Sequence, residues 1–465
     1  MENAGKEFEY ADLAYLTVPL PEDIMKLKWY GDFERAERVI DLRLKKEIPV
    51  ALRKRLELEK LILKRLPKSY IFTEEEALKA LQERVKDVTK EEFDELIDEG
   101  AIEWIYVNGQ RKIMDDFIDN LLKTRPHISA RIRDAYAYLV ERRAEDIEQT
   151  NAMIRRQIEQ GGMNVRFHIR ETFRVREGKE RPDHTIRVHM PLPISYAQVE
   201  NVQILSTSEK PLLIAPKDYP QRTACFEKKM KPGEAITMEF TYEIHAPYVD
   251  PKPEEVFVAQ PTFYLEEQLP HIQFTPYIRV LVKEIIGEET NPLVKARKIY
   301  DYITTHLMYS FVRSYFAITD IPGFASTSWK GDCGVQALLF ITMCRAAGVP
   351  ARWQAGLSVS PDGAGCHDWA QFYVAPYGWL YADCSFGGAR YRAGNLEGWN
   401  FYFGNLEPFR MPANCEFQHD LVPAKNYLRH DPYDNQTGEA EYDDRAMTKD
   451  EYEITIEVLK MEELK

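Results

Sequence analysis

The length, composition and charge of the chain exclude several classes of protein. Its 465 residues are 44% hydrophobic and 29% charged, a composition typical of a folded protein with two or three domains. Aspartate and glutamate (75) outnumber lysine and arginine (61), so the net charge is −14. Because an acidic surface repels phosphate and anionic lipid, neither nucleic acid nor a membrane is expected as a partner.

The beginning of the sequence and the hydropathy pattern favour a cytoplasmic protein. No apolar run is long enough to span a bilayer, and the first residues lack the basic and apolar segments of a secretory signal. We therefore expect a cytoplasmic location, unless a leader has been removed.

Residues 1–160 are predicted to form a mainly helical domain. Thr73 and Thr89 each precede a glutamate by three residues, which is the pattern of a capping box. A strand-like run at 102–107 is followed by Asn108 and Gly109, a pair that indicates a hairpin. Helix and hairpin together could form a winged helix. The region is not distinctly basic, however, so a small α+β domain that binds a protein partner is preferred.

The middle and the end of the chain have different patterns. Apolar and polar side chains alternate in segments of 163–250, which predicts an antiparallel β-sandwich domain. Residues 255–420 mix helical and strand patterns and are assigned to one core domain. Residues 421–465 are a C-terminal extension with a final strand, and the acidic stretch 439–444 is expected to be a solvated loop.

Five of the six cysteines lie after residue 330, and one of them begins a predicted helix. This helix runs over 333–347, and Cys333 is its first residue. A cysteine there meets unpaired backbone N–H groups and the positive end of the helix dipole, which both favour a thiolate. Gly331 and Gly334 leave the sulfur open to a substrate. Cys344, three turns deeper, is interpreted as a small buried hydrophobe.

A histidine and an aspartate lie on the two strands of a predicted hairpin nearby. His367 begins the strand 367–374, and Asp383 ends the strand 379–383. Taken singly, they would be interpreted as a surface histidine and a turn cap. A loop of odd length centred near 375 or 376 puts Asp383 opposite His367 or diagonal to it. There the carboxylate can hold the tautomer that a general base needs.

These residues and their neighbours resemble the transglutaminase-like superfamily over 255–400. The matching stretches are GDCGVQALLFITMCRAAGVPARWQAG, CHDWAQFYV and WLYADCSFG. The resemblance implies an α+β fold with a papain-like transglutaminase core, here preceded by the antiparallel β-sandwich and the mainly helical domain. It also implies acyl transfer through a thioester, with Cys333 as nucleophile, His367 as general base and Asp383 as the residue that orients the base.

The resemblance leaves the reaction open. Hydrolysis of a peptide or amide bond, as in a cysteine protease, is preferred. Transfer to an amine, as in a protein-glutamine transglutaminase, and a non-catalytic binding protein with the same fold are the alternatives. An intact set of Cys333, His367 and Asp383 argues against the binding protein, because a scaffold does not need all three.

Several aromatic residues are candidates for supporting roles. The oxyanion would be met by the Cys333 backbone N–H and by an upstream donor, for which Trp329 and Tyr309 are the candidates. Candidates for lining a substrate cleft, with core packing as the alternative, are Trp369, Trp353 and Phe386.

No cofactor and no metal are predicted. The chain has no CxxC pair, and no calcium motif is recognised. A disulfide or a metal between Cys366 and Cys384 stays open as an alternative to free thiols. A metal site that also includes Cys333 and His367 is disfavoured, because adjacent residues of a strand point to opposite faces.

Overall fold

The N-terminal helical region consists of helices and one small sheet. The computed structural model describes residues 9–361 and 363–464. The helices of this region are α1 (Glu22–Tyr30), α2 (Phe33–Leu44), α3 (Val50–Arg65), α4 (Glu74–Arg84), α5 (Lys90–Asp98), α6 (Phe117–Thr124), α7 (Pro126–Ser129) and α8 (Tyr138–Gln160). Its strands are β1 (Phe72–Thr73), β2 (Trp104–Val107) and β3 (Gln110–Ile113), in the order β1-β3-β2.

Local sequence signals explain where these elements begin and turn. Thr73 caps α4, and the Glu76 carboxylate accepts from the Thr73 backbone N–H at 2.8 Å, so the predicted capping box is present. Thr89 caps α5 through its side chain. Asn108 and Gly109 have φ angles of 52° and 74°, as a tight two-residue hairpin turn requires, and the predicted hairpin between β2 and β3 is confirmed.

The next segment supplies the long strands of a β-sandwich. These strands are β4 (Gly162–Val175), β5 (Ile186–Pro191), β6 (Val199–Thr207), β7 (Leu213–Ile214), β8 (Thr223–Lys228) and β9 (Ala235–Pro247). The inward-facing residues of β4 and β9, such as Phe167, Ile169 and Phe240, are fully buried. The alternation of apolar and polar residues therefore has its usual meaning of one buried and one solvated face.

The core that follows packs helices against a five-stranded antiparallel sheet. Its helices are α9 (Pro276–Ile286), α10 (Pro292–His306), α11 (Ile321–Ser328), α12 (Cys333–Ala346), α13 (Cys384–Arg392) and α14 (Leu396–Phe401). Its strands are β10 (Met308–Tyr309), β11 (Lys330–Gly331), β12 (Ala351–Ser360), β13 (Gly363–Val374), β14 (Gly378–Ala382), β15 (Phe403–Gly404) and β16 (Arg410–Asn414). The sheet order is β15-β14-β13-β12-β16, and α12 is buried from Gly334 to Arg345 against the central strand β13.

The C-terminal extension returns to the sandwich. Its strands are β17 (Glu439–Tyr442), β18 (Arg445–Ala446) and β19 (Tyr452–Leu464). β17 pairs with β5, and β19 pairs with β4 along most of its length. The sandwich sheets are therefore β19-β4-β9-β6 and β18-β17-β5-β8-β7, and each combines strands from the middle of the chain with strands of the C-terminal extension.

The expectation of a solvated loop at 439–444 is wrong for its first four residues. Glu439 is buried, and its carboxylate is 2.9 Å from the Lys425 ammonium. Glu441 is also buried and accepts from the backbone N–H of Asn426. Charged residues predict exposure only when they lack partners, and the partners come from a preceding loop whose approach the sequence does not show.

The N-terminal helical region shares a hydrophobic cluster with the core. Leu58 and Ile62 of α3 belong to the same buried cluster as Ile278 of α9 and Leu338 of α12. The mixed helices and antiparallel sheets confirm the predicted α+β class. Within the described ranges, no helix is long and apolar enough to cross a bilayer.

Candidate active site

His367 lies within β13, which begins at Gly363 and not at His367 as predicted, and Asp383 directly follows β14. The strand register pairs Ala370 with Ala382, so the position opposite Asp383 is Trp369, and His367 is diagonal to it on the same face. The two side chains are buried, and His367 Nε2 lies 2.7 Å from Asp383 Oδ2. Burial lowers the pKa of His367, although Asp383 acts in the opposite direction. The imidazole is therefore neutral near pH 7, as a general base must be.

Asp383 also caps the helix that follows it. Its Oδ1 accepts from the backbone N–H of Phe386 at 2.9 Å and from the Ser385 hydroxyl at 3.1 Å. Asp383 is therefore both a helix cap, through Oδ1, and the partner of His367, through Oδ2. The cap fixes the plane of the carboxylate that faces His367.

Arg410 is a partner of Asp383 that the sequence reasoning missed. The fully buried guanidinium lies 3.0 Å from Asp383 Oδ2 and 2.9 Å from Glu407 Oε1. Burial alone would raise the pKa of Asp383, but His367 and Arg410 reverse the effect and hold it below the usual range. The sequence signal was the position of Arg410 between the apolar residues Phe409 and Met411, which indicates burial. A buried arginine needs a carboxylate as its partner.

Cys333 begins α12 as predicted, but its sulfur faces a carboxyl group. The thiol donates to Asp368 Oδ2 at 3.3 Å, whereas the hydrogen bond of the His367 ring is made with Asp383. Enclosure by the protein raises the pKa of the Cys333 thiol, and Asp368 and Asp332 raise it further. Burial and the neighbouring carboxyl groups thus act against the thiolate that the helix start was expected to favour.

Asp368 connects the thiol to the C-terminal extension. Its Oδ1 accepts from Gln436 Nε2 at 2.5 Å, while its Oδ2 faces the thiol. Burial, followed by the charge of Asp332, raises the pKa of Asp368 to about 8. Gly334 is needed beside it, because a Cβ there would lie 2.7 Å from Asp368 Oδ2. The sequence signal for Asp368 was its position directly after His367. Its partners Cys333 and Gln436, however, are distant from it in the sequence.

The structure brings one of the two oxyanion candidates to the thiol. β10 pairs in parallel with β11, so Tyr309 lies beside Gly331, two residues before Cys333. Burial raises the pKa of Tyr309, and Cys333 is the first charge that adds to the effect. Trp329 is not brought there: its side chain is 56% exposed, and its ring contacts His306.

Two of the three cleft candidates are core residues. Trp369 is fully buried and donates its indole N–H to Gln354 at 2.6 Å. Trp353 is buried against Phe417. Both tryptophans are therefore core residues and not cleft residues, and they lie on opposite faces of the sheet, since the register pairs Trp369 with Gln354 and Trp353 with Ala370. Phe386 is half-buried and stacks on His367 with ring centroids 4.2 Å apart, so it remains a candidate.

Cys366 and Cys384 are both free thiols in the structure. Cys366 is exposed on β13, whereas Cys384 is buried in the first turn of α13. The side chains that could converge on a metal ion, among the residues that are described, are His184, Asp443 and Asp444. They lie at the sandwich and include none of the residues around Cys333.

Comparison with known proteins identifies one family over part of the chain. Residues 279–384 match the family described as the Transglutaminase-like superfamily. This segment begins in α9 and includes Cys333, His367 and Asp383. The chain therefore contains a transglutaminase-like domain.

Individual relatives are more distant. An uncharacterized protein of Haemophilus influenzae is 28% identical over 137 residues, which cover 24% of this chain and 37% of that protein. The match thus spans little more than a third of that relative. A candidate cysteine protease from Cytophaga hutchinsonii is 14% identical and covers 64% of this chain and 98% of its own, with a TM-score of 0.38. The periplasmic domain of TgpA from Pseudomonas aeruginosa is 16% identical and covers 50% and 92%, with a TM-score of 0.28.

Proposed function

We propose that this protein is a thiol-dependent acyl-transfer enzyme that cleaves peptide or amide bonds. The observation that carries the proposal is the 2.7 Å contact of His367 Nε2 with Asp383 Oδ2, together with the contact of the Cys333 thiol with Asp368, the residue after His367. A neutral imidazole held by a carboxylate can accept a proton on its other nitrogen. The exposed side chain of Cys366 and the half-buried Cys333 indicate that water and substrate can reach this place.

The first half of the reaction forms a thioester. For this step the Cys333 thiol has to leave Asp368 and approach His367, the preceding residue of β13, whose Nδ1 takes the thiol proton. The sulfur attacks the carbonyl carbon, and the backbone N–H of Cys333 and the Tyr309 hydroxyl donate to the oxyanion. The carbon–nitrogen bond then breaks, and the imidazolium gives its proton to the departing amine.

The second half releases the acyl group. His367 removes a proton from water as the water oxygen attacks the thioester carbon, and the carbon–sulfur bond breaks. The sulfur receives the proton back, and a carboxylic acid leaves. Asp383 stays ionised throughout and stabilises the imidazolium, because Arg410 and Phe386 N–H hold it in place.

Replacement of the nucleophile tests the proposal. A peptide library incubated with wild-type protein and analysed by mass spectrometry should contain cleaved products. Cys333→Ala should reduce their formation by at least about a thousandfold, because the covalent step is lost. The matched control is Cys415→Ala, which removes another free thiol outside the site and should leave turnover unchanged. Turnover that survives in Cys333→Ala would contradict the proposal.

The acyl acceptor requires a separate experiment. We propose hydrolysis, so adding a fluorescent primary amine to the same reaction should divert little of the acyl product. Amine incorporation comparable with hydrolysis would instead favour a protein-glutamine transglutaminase. Wild-type protein with no turnover, and with Cys333 no more reactive than the exposed Cys366, would favour a binding protein.

The substrate class and location are part of the same proposal. We propose a peptide or protein substrate and a cytoplasmic location, with no part for nucleic acid or membrane. Cell fractionation with markers for each compartment tests the location. Recovery with a periplasmic or membrane fraction would contradict it.

A further inference from the structure

We propose that Lys123, which the N-terminal helical region brings to the thiol site, is a positioning residue that stabilises the thiolate form of Cys333. The inference rests on the proposed function. It assigns a part in that reaction to a region outside the matched segment 279–384.

A buried amide attaches α6 to the loop after β10. Asn120 is 4% exposed, and its Oδ1 accepts from the backbone N–H of Phe311 at 3.0 Å. Its Nδ2 donates to the carbonyl of Ala101 at 3.0 Å. Because both groups of a buried side chain are used, the distance between α6 and this loop is fixed.

A second connection attaches the N-terminal region to the strand before Cys333. Glu103 lies 2.7 Å from the Lys330 ammonium and 3.3 Å from the Arg313 guanidinium. Lys330 also donates to the carbonyl of Gly100 at 3.1 Å. These three charged side chains are at most 17% exposed, so solvent screening is limited. Lys330 is three residues from Cys333, and the connection therefore fixes the approach to the thiol.

Lys123 follows Asn120 by three residues and lies on the same face of α6. Its ammonium is 3.9 Å from the centroid of the Tyr309 ring and 5.1 Å from that of Phe311. Tyr309 lies beside Gly331, two residues before Cys333, and Cys333 is the first charge that acts on Lys123, so the ammonium lies near the thiol. Lys123 takes part in no salt bridge with any residue in the described part of the chain, so its charge is not already neutralised.

The carboxyl groups around the thiol oppose the thiolate, and the Lys123 ammonium acts in the opposite direction. The titratable and charged groups that face Cys333 or its immediate neighbours are Asp116, Lys123, Arg143, Tyr309, Tyr315, Asp332, His367, Asp368, Asp431 and Asp434. Burial raises the pKa of the Cys333 thiol, with Asp368 and Asp332 adding to the effect, and Lys123 is the cation that lowers it. Desolvation lowers the pKa of Lys123 in turn, while Cys333 supports its charge.

The test is the pH profile of Cys333 alkylation. Full-length wild type and variants are treated with iodoacetamide from pH 5 to 10, and labelling is followed on the peptide that contains Cys333. Lys123→Met should label about tenfold more slowly at pH 7 and shift the profile to higher pH, because a nearby opposite charge favours the ionised form. Lys123→Arg keeps the charge and should restore the profile.

Two controls make the result decisive. Lys79→Met removes the same charge from an exposed position of α4 and should match wild type. Cys344, fully buried in α12, should stay unlabelled in any folded variant, so its labelling reports unfolding. If Lys123→Met does not fold, Lys123→Gln takes its place.

The outcomes separate this inference from the proposed function. A folded Lys123→Met protein with the wild-type profile overturns the role of Lys123, whatever Cys333→Ala does. A slower Lys123→Met profile that Lys123→Arg does not restore also overturns it, because the effect would then not follow the charge. Turnover that persists in Cys333→Ala overturns the proposed function itself. If Cys333→Ala has lost turnover, the labelling profile of Lys123→Met decides the role of Lys123.

Discussion

At the scale of single residues, the site depends on a carboxylate that stays charged without water. Asp383 is fully buried, and four groups hold its oxygens: the His367 ring, the Phe386 N–H, the Ser385 hydroxyl and the Arg410 guanidinium. Arg410 also contacts Glu407, whose pKa is raised by burial, so that two buried acids share one guanidinium. In the proposed mechanism, His367 acts as a base only while this arrangement keeps Asp383 ionised.

Arg410→Met should accordingly damage both stability and activity. It leaves two buried carboxylates without a cation, which costs about 3–5 kcal/mol of unfolding free energy. Turnover should also fall, because Asp383 is then protonated at higher pH and no longer orients His367. Chemical denaturation and the pH profile of turnover measure the two effects. Arg38→Met, at an exposed pair with Glu34, is the control and should change stability by less than about 1 kcal/mol. Equal stability of the two variants would contradict this role of Arg410.

At the scale of elements, the sequence predicts what is encoded locally. The cap at Thr73, the Asn108-Gly109 turn and the start of α12 at Cys333 depend on neighbouring residues, and all three are present. The pairing of β13 with β14 follows from loop length and parity, so the diagonal approach of Asp383 to His367 is also predictable. Contacts between distant segments cannot be predicted in this way. Local patterns do not show where β16, which supplies Arg410, and the loop that supplies Gln436 lie relative to the site.

The burial of strand β17 also depends on a contact that local patterns do not predict, the ion pair of Glu439 with Lys425. This buried ion pair can be tested. Lys425→Met leaves Glu439 buried without its closest cation, and Lys425 is the first group that holds the pKa of Glu439 below its usual range against burial. The unfolding free energy should fall by about 3–5 kcal/mol. Lys460→Met, at an exposed pair with Glu462 on β19, should have almost no effect. Urea denaturation compares them, and similar midpoints would argue against a structural role for this pair.

At the scale of the whole molecule, the sandwich contains an acid that opposes folding at neutral pH. Glu171 lies in β4, fully buried, and neither of its carboxylate oxygens has a hydrogen-bond partner among the described residues. Burial raises its pKa well above the ordinary value of 4.5. The folded state therefore keeps a proton that the unfolded chain releases. Stability is fully present below about pH 4 and is lost as the pH rises toward the folded pKa.

Glu171→Gln should flatten this dependence. The variant lacks the ionisable group, so its unfolding free energy relative to wild type should increase as the pH rises from about 4 to 7. Thermal or urea unfolding at several pH values measures the difference. Glu177→Gln, just after the same strand, is the control and should follow wild type. A difference between Glu171→Gln and wild type that does not change with pH would contradict the assignment.

The whole molecule also joins three segments at one thiol. α6 supplies Lys123, the core supplies Cys333 with His367 and Asp383, and the C-terminal extension supplies Gln436. The transglutaminase-like domain thus has neighbours from segments before and after it in the sequence, which explains why its own motifs predict the candidate triad and not its surroundings.

Acyl transfer through Cys333 can be observed by trapping the acyl group on the protein. Wild-type protein is mixed with a peptide that it cleaves, and the reaction is quenched in acid during turnover. The protein is then digested, and its peptides are analysed by mass spectrometry. We expect an acyl adduct on the peptide that contains Cys333, removed by hydroxylamine and absent from Cys333→Ala. An adduct on another residue, or cleavage at the wild-type rate by Cys333→Ala without any adduct, would contradict the proposed function.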